Sequence, residues 1–175
     1  FSKVLIIAFL VMLIIGFTVP AFLQSNNGKT ATERRICQTD TDCYLMCDDV
    51  PVAVLCSGNL CVQNSCEEKV LYPFQQNPLT FNLGVETNGQ AVNLTAHPNN
   101  FFVKFNPTEV FSTGLSLNQV LDKAGMKLEG LYLQTPQGKY CNEKEKEVQV
   151  WLNGNRTYNY NYVPVQGDTI KIVYN

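Results

Sequence analysis

The sequence predicts an α+β protein of 175 residues: an N-terminal transmembrane-type helix, a small disulfide-rich knob, and a globular domain in which one helix packs on a mixed sheet. Three observations carry that reading. Residues from Val4 to Leu23 contain no charged side chain, six of the seven cysteines fall between Cys37 and Cys66, and beyond residue 70 a period-two pattern is interrupted once by a helical one.

The apolar run comes first. About 20 residues at a helical rise of about 1.5 Å cover about 30 Å, the thickness of a bilayer core. A secretory signal peptide cleaved near Val19-Pro20-Ala21 is the rival reading; residues 1–23 are taken as a retained anchor. Lys3 before it and Lys29, Arg34 and Arg35 after it make the positive-inside signal weak or contrary. The cysteines orient the chain better, since such a density persists as disulfides only in an oxidising compartment. Asn93-Leu94-Thr95 and Asn155-Arg156-Thr157 are glycosylation acceptors that agree with an extracytoplasmic location. The expected localisation is therefore extracytoplasmic, anchored in the cytoplasmic membrane or in a cell-surface filament. A net charge of -2 and the lack of any Lys/Arg cluster argue against a nucleic-acid surface.

Residues 24–36 are polar, with a Gly and no apolar period, and read as a linker. Residues 37–69 form the disulfide-rich module. Cys37, Cys43, Cys47, Cys56, Cys61 and Cys66 lack the short C-x-x-C pairs of a zinc module, so three disulfides are expected, with many pairings open. So few apolar residues cannot hold a core alone, and cross-links must restrict the unfolded chain instead. Asp40, Asp42, Asp48 and Asp49 could offer oxygen ligands to calcium, but their spacing fits no EF-hand loop, and a solvated acidic face is expected. Cys141 is the odd cysteine. An intermolecular disulfide, a reactive thiol, a bond to one knob cysteine and a buried unpaired thiol all remain open for it.

Residues 70–175 are read as the globular domain. Leu79, Phe81, Leu83 and Val85 alternate as a half-buried strand, Asn88-Gly89 turns the chain, and 91–95 returns as its partner. Phe101 to Phe105 is expected as a short third strand, stopped by Asn106-Pro107. Ser116 caps a helix with Gln119 completing a capping box; Leu117, Val120, Leu121 and Ala124 form its apolar face and Gly125 ends it. Val148, Val150 and Leu152 alternate before a turn at Asn153-Gly154, Tyr158, Tyr160 and Tyr162 alternate after it, and residues 169–174 close the domain as a strand. The tyrosine stripe is either core-facing or, with Trp151, a contact surface for protein or glycan.

A hairpin, one helix and further strands are the order of a β-grasp domain. The stretch Val148 to Gly154 followed by Gly167 to Ile172 resembles the end of ubiquitin-like and sulfur-carrier β-grasp proteins. Sulfur carriers end in an activated Gly-Gly, whereas this sequence ends Val173-Tyr174-Asn175, so that chemistry is not expected. The N-terminus, Phe1 followed by an apolar run with Gly16 and Val19-Pro20-Ala21-Phe22, resembles a processed type IV pilin. Bacterial major pilins carry Glu where Leu5 stands here, a departure from the pattern; archaeal pilins do without it, so the resemblance still admits an archaeal-type filament subunit.

His97, the only histidine, lies in a loop-like Ala-His-Pro-Asn-Asn stretch with no nucleophile frame around it. No catalytic residue, cofactor or metal is expected. The expected function is a non-catalytic structural subunit of an extracytoplasmic assembly, possessing protein partners (copies of itself or membrane subunits) and a membrane or filament core contact through residues 1–23. The alternatives are a single-pass accessory subunit of a membrane complex and a surface-anchored ligand- or glycan-binding module.

Overall fold

Alternating burial governs most of the chain beyond residue 70, and it builds more strand than the sequence pattern announces. The computed structural model describes residues 33–175, of which Arg34–Asn175 make one unit. The apolar run at 1–23 and most of the 24–36 linker lie outside the described residues. Among the described residues no helix is long and apolar enough to cross a membrane.

The cysteine-rich segment opens with a 3-10 turn, Asp40–Cys43, and two small hairpins. Strands β1 (Leu45–Cys47) and β2 (Val50–Val52) turn at Asp48-Asp49, both at positive φ. Strands β3 (Cys56–Ser57) and β4 (Leu60–Cys61) turn at Gly58-Asn59. The end of the expected linker is tied down here: Ile36 bridges to Leu60, and Arg35 N–H donates to Asn64 Oδ1.

Strand β5 (Phe74–Thr87) is the spine of the main sheet. Asn88-Gly89, both at positive φ, reverse it into β6 (Gln90–Ala91), as the dipeptide predicts. Then follow β7 (Val103–Lys104), β8 (Thr108–Ser112), helix α1 (Leu117–Asp122), and a separate sheet of β9 (Lys127–Glu129), β10 (Tyr132–Thr135) and β11 (Gly138–Cys141). The chain finishes with β12 (Val148–Leu152), β13 (Asn155–Thr157) and β14 (Thr169–Tyr174). The main sheet runs β13-β12-β14-β5-β8-β7, with β6 also on β5; β14 lies parallel to β5 and the other pairs are antiparallel.

The core lies between the inner face of this sheet and α1. Val85, Val150, Ile170 and Ile172 meet Leu117, Val120 and Leu121, all at most 2% exposed. The helix begins as expected: Ser116 Oγ accepts from Gln119 N–H, and Gln119 Oε1 accepts from Ser116 N–H at 2.9 Å. Gly125, at φ 68°, allows the reversal that ends it.

The expected α+β class is corrected. The described chain is mostly β, with one 3-10 turn and one α-helix of 6 residues, and no membrane-type helix occurs among the described residues. The strands that tip the balance are β8 to β11. Each is 3 to 5 residues long, too short to display a clear period, and β9 to β11 carry exposed charged and polar positions. Three finer expectations also change. The partner of β5 is 2 residues, because the chain leaves the sheet after Val92 to bury Leu94. The strand expected at 101–105 is Val103–Lys104 alone. Tyr158 to Tyr162 is an irregular loop held by side-chain bonds, and the partner strand of β12 is β13.

Candidate functional site

The six knob cysteines pair first to fourth, second to fifth and third to sixth: Cys37–Cys56, Cys43–Cys61 and Cys47–Cys66. Four of them are buried at 4% exposure or less and surround Val54, so the first two bridges are the interior of this segment. The sulfurs of Cys37, Cys43 and Cys61 lie within 4.8 Å of one another because these bridges stack. All three are oxidised and offer no thiolate to a metal. The third bridge is peripheral, with Cys66 exposed. Three disulfides place this segment in an oxidising, extracytoplasmic environment. Cys141, at the end of β11, is an exposed thiol without a disulfide partner among the described residues.

The four aspartates do not make one cluster. Asp48 and Asp49 occupy an exposed turn, and Asp42 caps the 3-10 turn by accepting from Gln38 and Thr39 N–H, which holds its carboxyl below the usual range. Asp40 is fully buried. Its Oδ1 accepts from Cys56 N–H and from Lys123 Nζ at 2.6 Å, and its Oδ2 accepts from Phe101 and Phe102 N–H. Lys123, 5% exposed at the end of α1, also donates to the Cys56 carbonyl. One ion pair thus fastens the cysteine-rich segment, the helix and the 101–102 backbone together. Sequence reasoning placed Asp40 on a solvated face; no local pattern distinguishes it from its neighbours, and Lys123 lies 83 positions away.

Two surfaces stand out. At the first, aromatic rings from both segments meet. Tyr44 and Phe101 centroids are 5.5 Å apart, Phe74 and Phe101 5.7 Å, and Phe74 stacks on Phe111 at 5.7 Å and 5°. Lys104 Nζ sits 4.8 Å over the Phe111 ring. Buried Phe102 lies behind them, yet Tyr44 and Phe74 remain 46% and 43% exposed. The nearby sequence also exposes Met46 and Leu71.

The second is the outer face of the main sheet. Trp151, half-buried and outside the core cluster, stands opposite Arg156 on one side and Lys171 on the other. Lys171 pairs with Glu86 at 2.9 Å and Arg156 with Glu147 at 2.8 Å. The tyrosines expected beside Trp151 scatter instead. Tyr162 donates to Asp168 Oδ2, Tyr160 packs over Gly130, and only Tyr158, 69% exposed under the Arg156 guanidinium, opens to solvent. Burial pushes the Asp168 carboxyl up, but the Val165 N–H, the Asn153 amide and the Tyr162 hydroxyl outweigh it and hold it below the usual range.

The remaining candidates are separate. Asn93, in the loop after β6, and Asn155, at the start of β13, are both exposed. His97 Nδ1 accepts from Asn99 N–H within its own loop. No family model, curated protein or solved structure significantly matches this chain.

Proposed function

We propose that the protein is a non-catalytic structural subunit of an extracytoplasmic assembly, carried by its apolar run at residues 1–23 and contacting protein neighbours through the aromatic surface around Phe74. The observation that supports this is the cluster of Tyr44, Phe74, Phe101 and Phe111, in which Tyr44 and Phe74 are open to solvent. Exposed contiguous aromatics are unfavourable on a solitary domain and enriched where proteins meet. Exposed Asn93 and Asn155 are glycan acceptors in this reading, which suits an outward-facing domain. A filament of like subunits is the preferred form of the assembly, on the pilin-like pattern of Gly16 and Pro20-Ala21-Phe22; a complex with unlike membrane subunits is the other.

The test is assembly itself. Native material examined by negative-stain electron microscopy is expected to contain filaments, and Phe74→Ser is expected to shorten or abolish them while circular dichroism stays unchanged. Discrete particles that need detergent favour the membrane complex. A folded Phe74→Ser protein that assembles like the parent overturns the proposed contact.

A further inference from the structure

Gly84 has no structural reason to be glycine. It lies within β5, three residues before its end, opposite Lys171 in an unbroken parallel register, and its φ is not in the left-handed region. A Cβ built there meets nothing within 4 Å. Glycine inside a strand costs about 0.5–1 kcal/mol relative to Ala. Its usual justifications are a bulge, a tight bend, or the close approach of a ligand or another backbone. The irregularity in β5 falls between Phe74 and Leu79, away from Gly84, and no protein group approaches it.

What lies over Gly84 is a groove of about 470 Å³, walled by Asn82, Glu86, Asn106, Thr169 and Lys171. That volume falls in the range of roughly 300–1,000 Å³ expected of small-ligand sites. On its β8 side, β5 has no strand partner between Phe81, where β8 pairing stops, and Glu86, where β6 begins. The register across the sheet places Trp151, Lys171 and Gly84 in one row on the outer face. The only tryptophan of the chain therefore stands one strand beyond the groove.

We propose that this groove, continued onto Trp151, binds a segment of neutral oligosaccharide. Three features select that chemistry. The charges present are already paired, Lys171 with Glu86 and Arg156 with Glu147, so neither an anion nor a cation finds an unpaired counter-charge in this row. The strand-free stretch is closed at both ends by β8 and β6, too short for an added β-strand, which needs a continuous edge. The Asn82 amide and the Thr169 hydroxyl both donate and accept, as sugar hydroxyls do, and the Asn106 amide, which gives one N–H to the Leu94 carbonyl, keeps its oxygen as an acceptor, while an indole suits the C–H face of a pyranose ring. Gly84 then provides the floor on which the ring rests. This binding is independent of the assembly contact at Phe74.

The single tryptophan is a built-in reporter. Maltohexaose, cellohexaose, mannohexaose and chitohexaose are titrated separately into the full-length protein while Trp151 emission is followed, with an extended Thr/Val hexapeptide as a parallel arm. Saturable quenching or a blue shift is expected with at least one sugar. Gly84→Val is expected to weaken it by about tenfold or more, by filling the floor, while thermal stability holds or rises because a β-branched residue suits a strand. Gly84→Ala, a smaller change, is expected to lie between. Silence toward all four sugars, a response to the peptide alone, or undiminished sugar binding by a folded Gly84→Val protein each overturns the proposal.

Discussion

Residues 37–69 and residues 70–175 keep their chains folded by different means. The first segment's own apolar cluster is Val54 and four half-cystines, and its strands are 2 or 3 residues long. The second buries Phe81, Phe102, Leu117, Leu121, Leu128, Leu133, Ile170 and Ile172 and has no disulfide among its described residues. Sulfur cross-links act where apolar area is scarce, by limiting the unfolded chain; apolar area suffices where a sheet and a helix can face each other. Yet the two are not independent modules. Leu55 belongs to the large core, and Asp40 reaches from the cysteine-rich segment to Lys123 on α1. The stapled segment thus acts as a lid on one edge of the sheet domain.

The largest effect is expected where the two regions join. Asp40→Ala leaves Lys123 buried without its counter-charge and three backbone N–H groups without an acceptor, and should lower unfolding free energy by about 3–5 kcal/mol in denaturant titrations. The double change Asp40→Leu/Lys123→Met should recover much of that loss; if it does not, the backbone bonds to Asp40 matter more than the ion pair.

Removing the Cys43–Cys61 bridge as Cys43→Ala/Cys61→Ala should cost about 3 kcal/mol, given a separation of 18 residues. The loss should fall on amides of residues 37–69 in hydrogen exchange, with the sheet core still protected. Loss of protection in both regions together would show that the lid is part of the sheet domain's own stability. Within the same segment, mild reductant followed by alkylation and mass spectrometry should modify Cys47 and Cys66 first, since Cys66 is exposed and the other bridges are buried.

A smaller effect is expected for Ser116→Ala, about 1 kcal/mol from the lost helix cap, confined to the sheet domain. The smallest is acid sensitivity. Asp168 has its carboxyl held below the usual carboxylate range, so its contribution is complete above that range and is lost as pH falls through the lowered folded value. Stability measured from pH 5 downward should fall less steeply in Asp168→Asn than in the parent; equal slopes would show that other carboxylates dominate.

Local chemistry decided much of this protein before folding. Ser116, Gln119 and Gly125 bound a helix because capping needs only near neighbours, and Asn88-Gly89 and Asn153-Gly154 turn because each tolerates positive φ by itself. The alternation in β5, β12 and β14 and the density of cysteines were equally legible, since period and composition are properties of the chain. What only the tertiary structure decided depends on distant partners. The disulfide pairing, the fate of the tyrosine stripe, the strands β8 to β11, the burial of Asp40 against a lysine 83 residues away and the groove over Gly84 all arise where separate segments meet. A residue's neighbours in sequence set its backbone preference; its charge partner, its cross-strand neighbour and the open space above it are set by the fold.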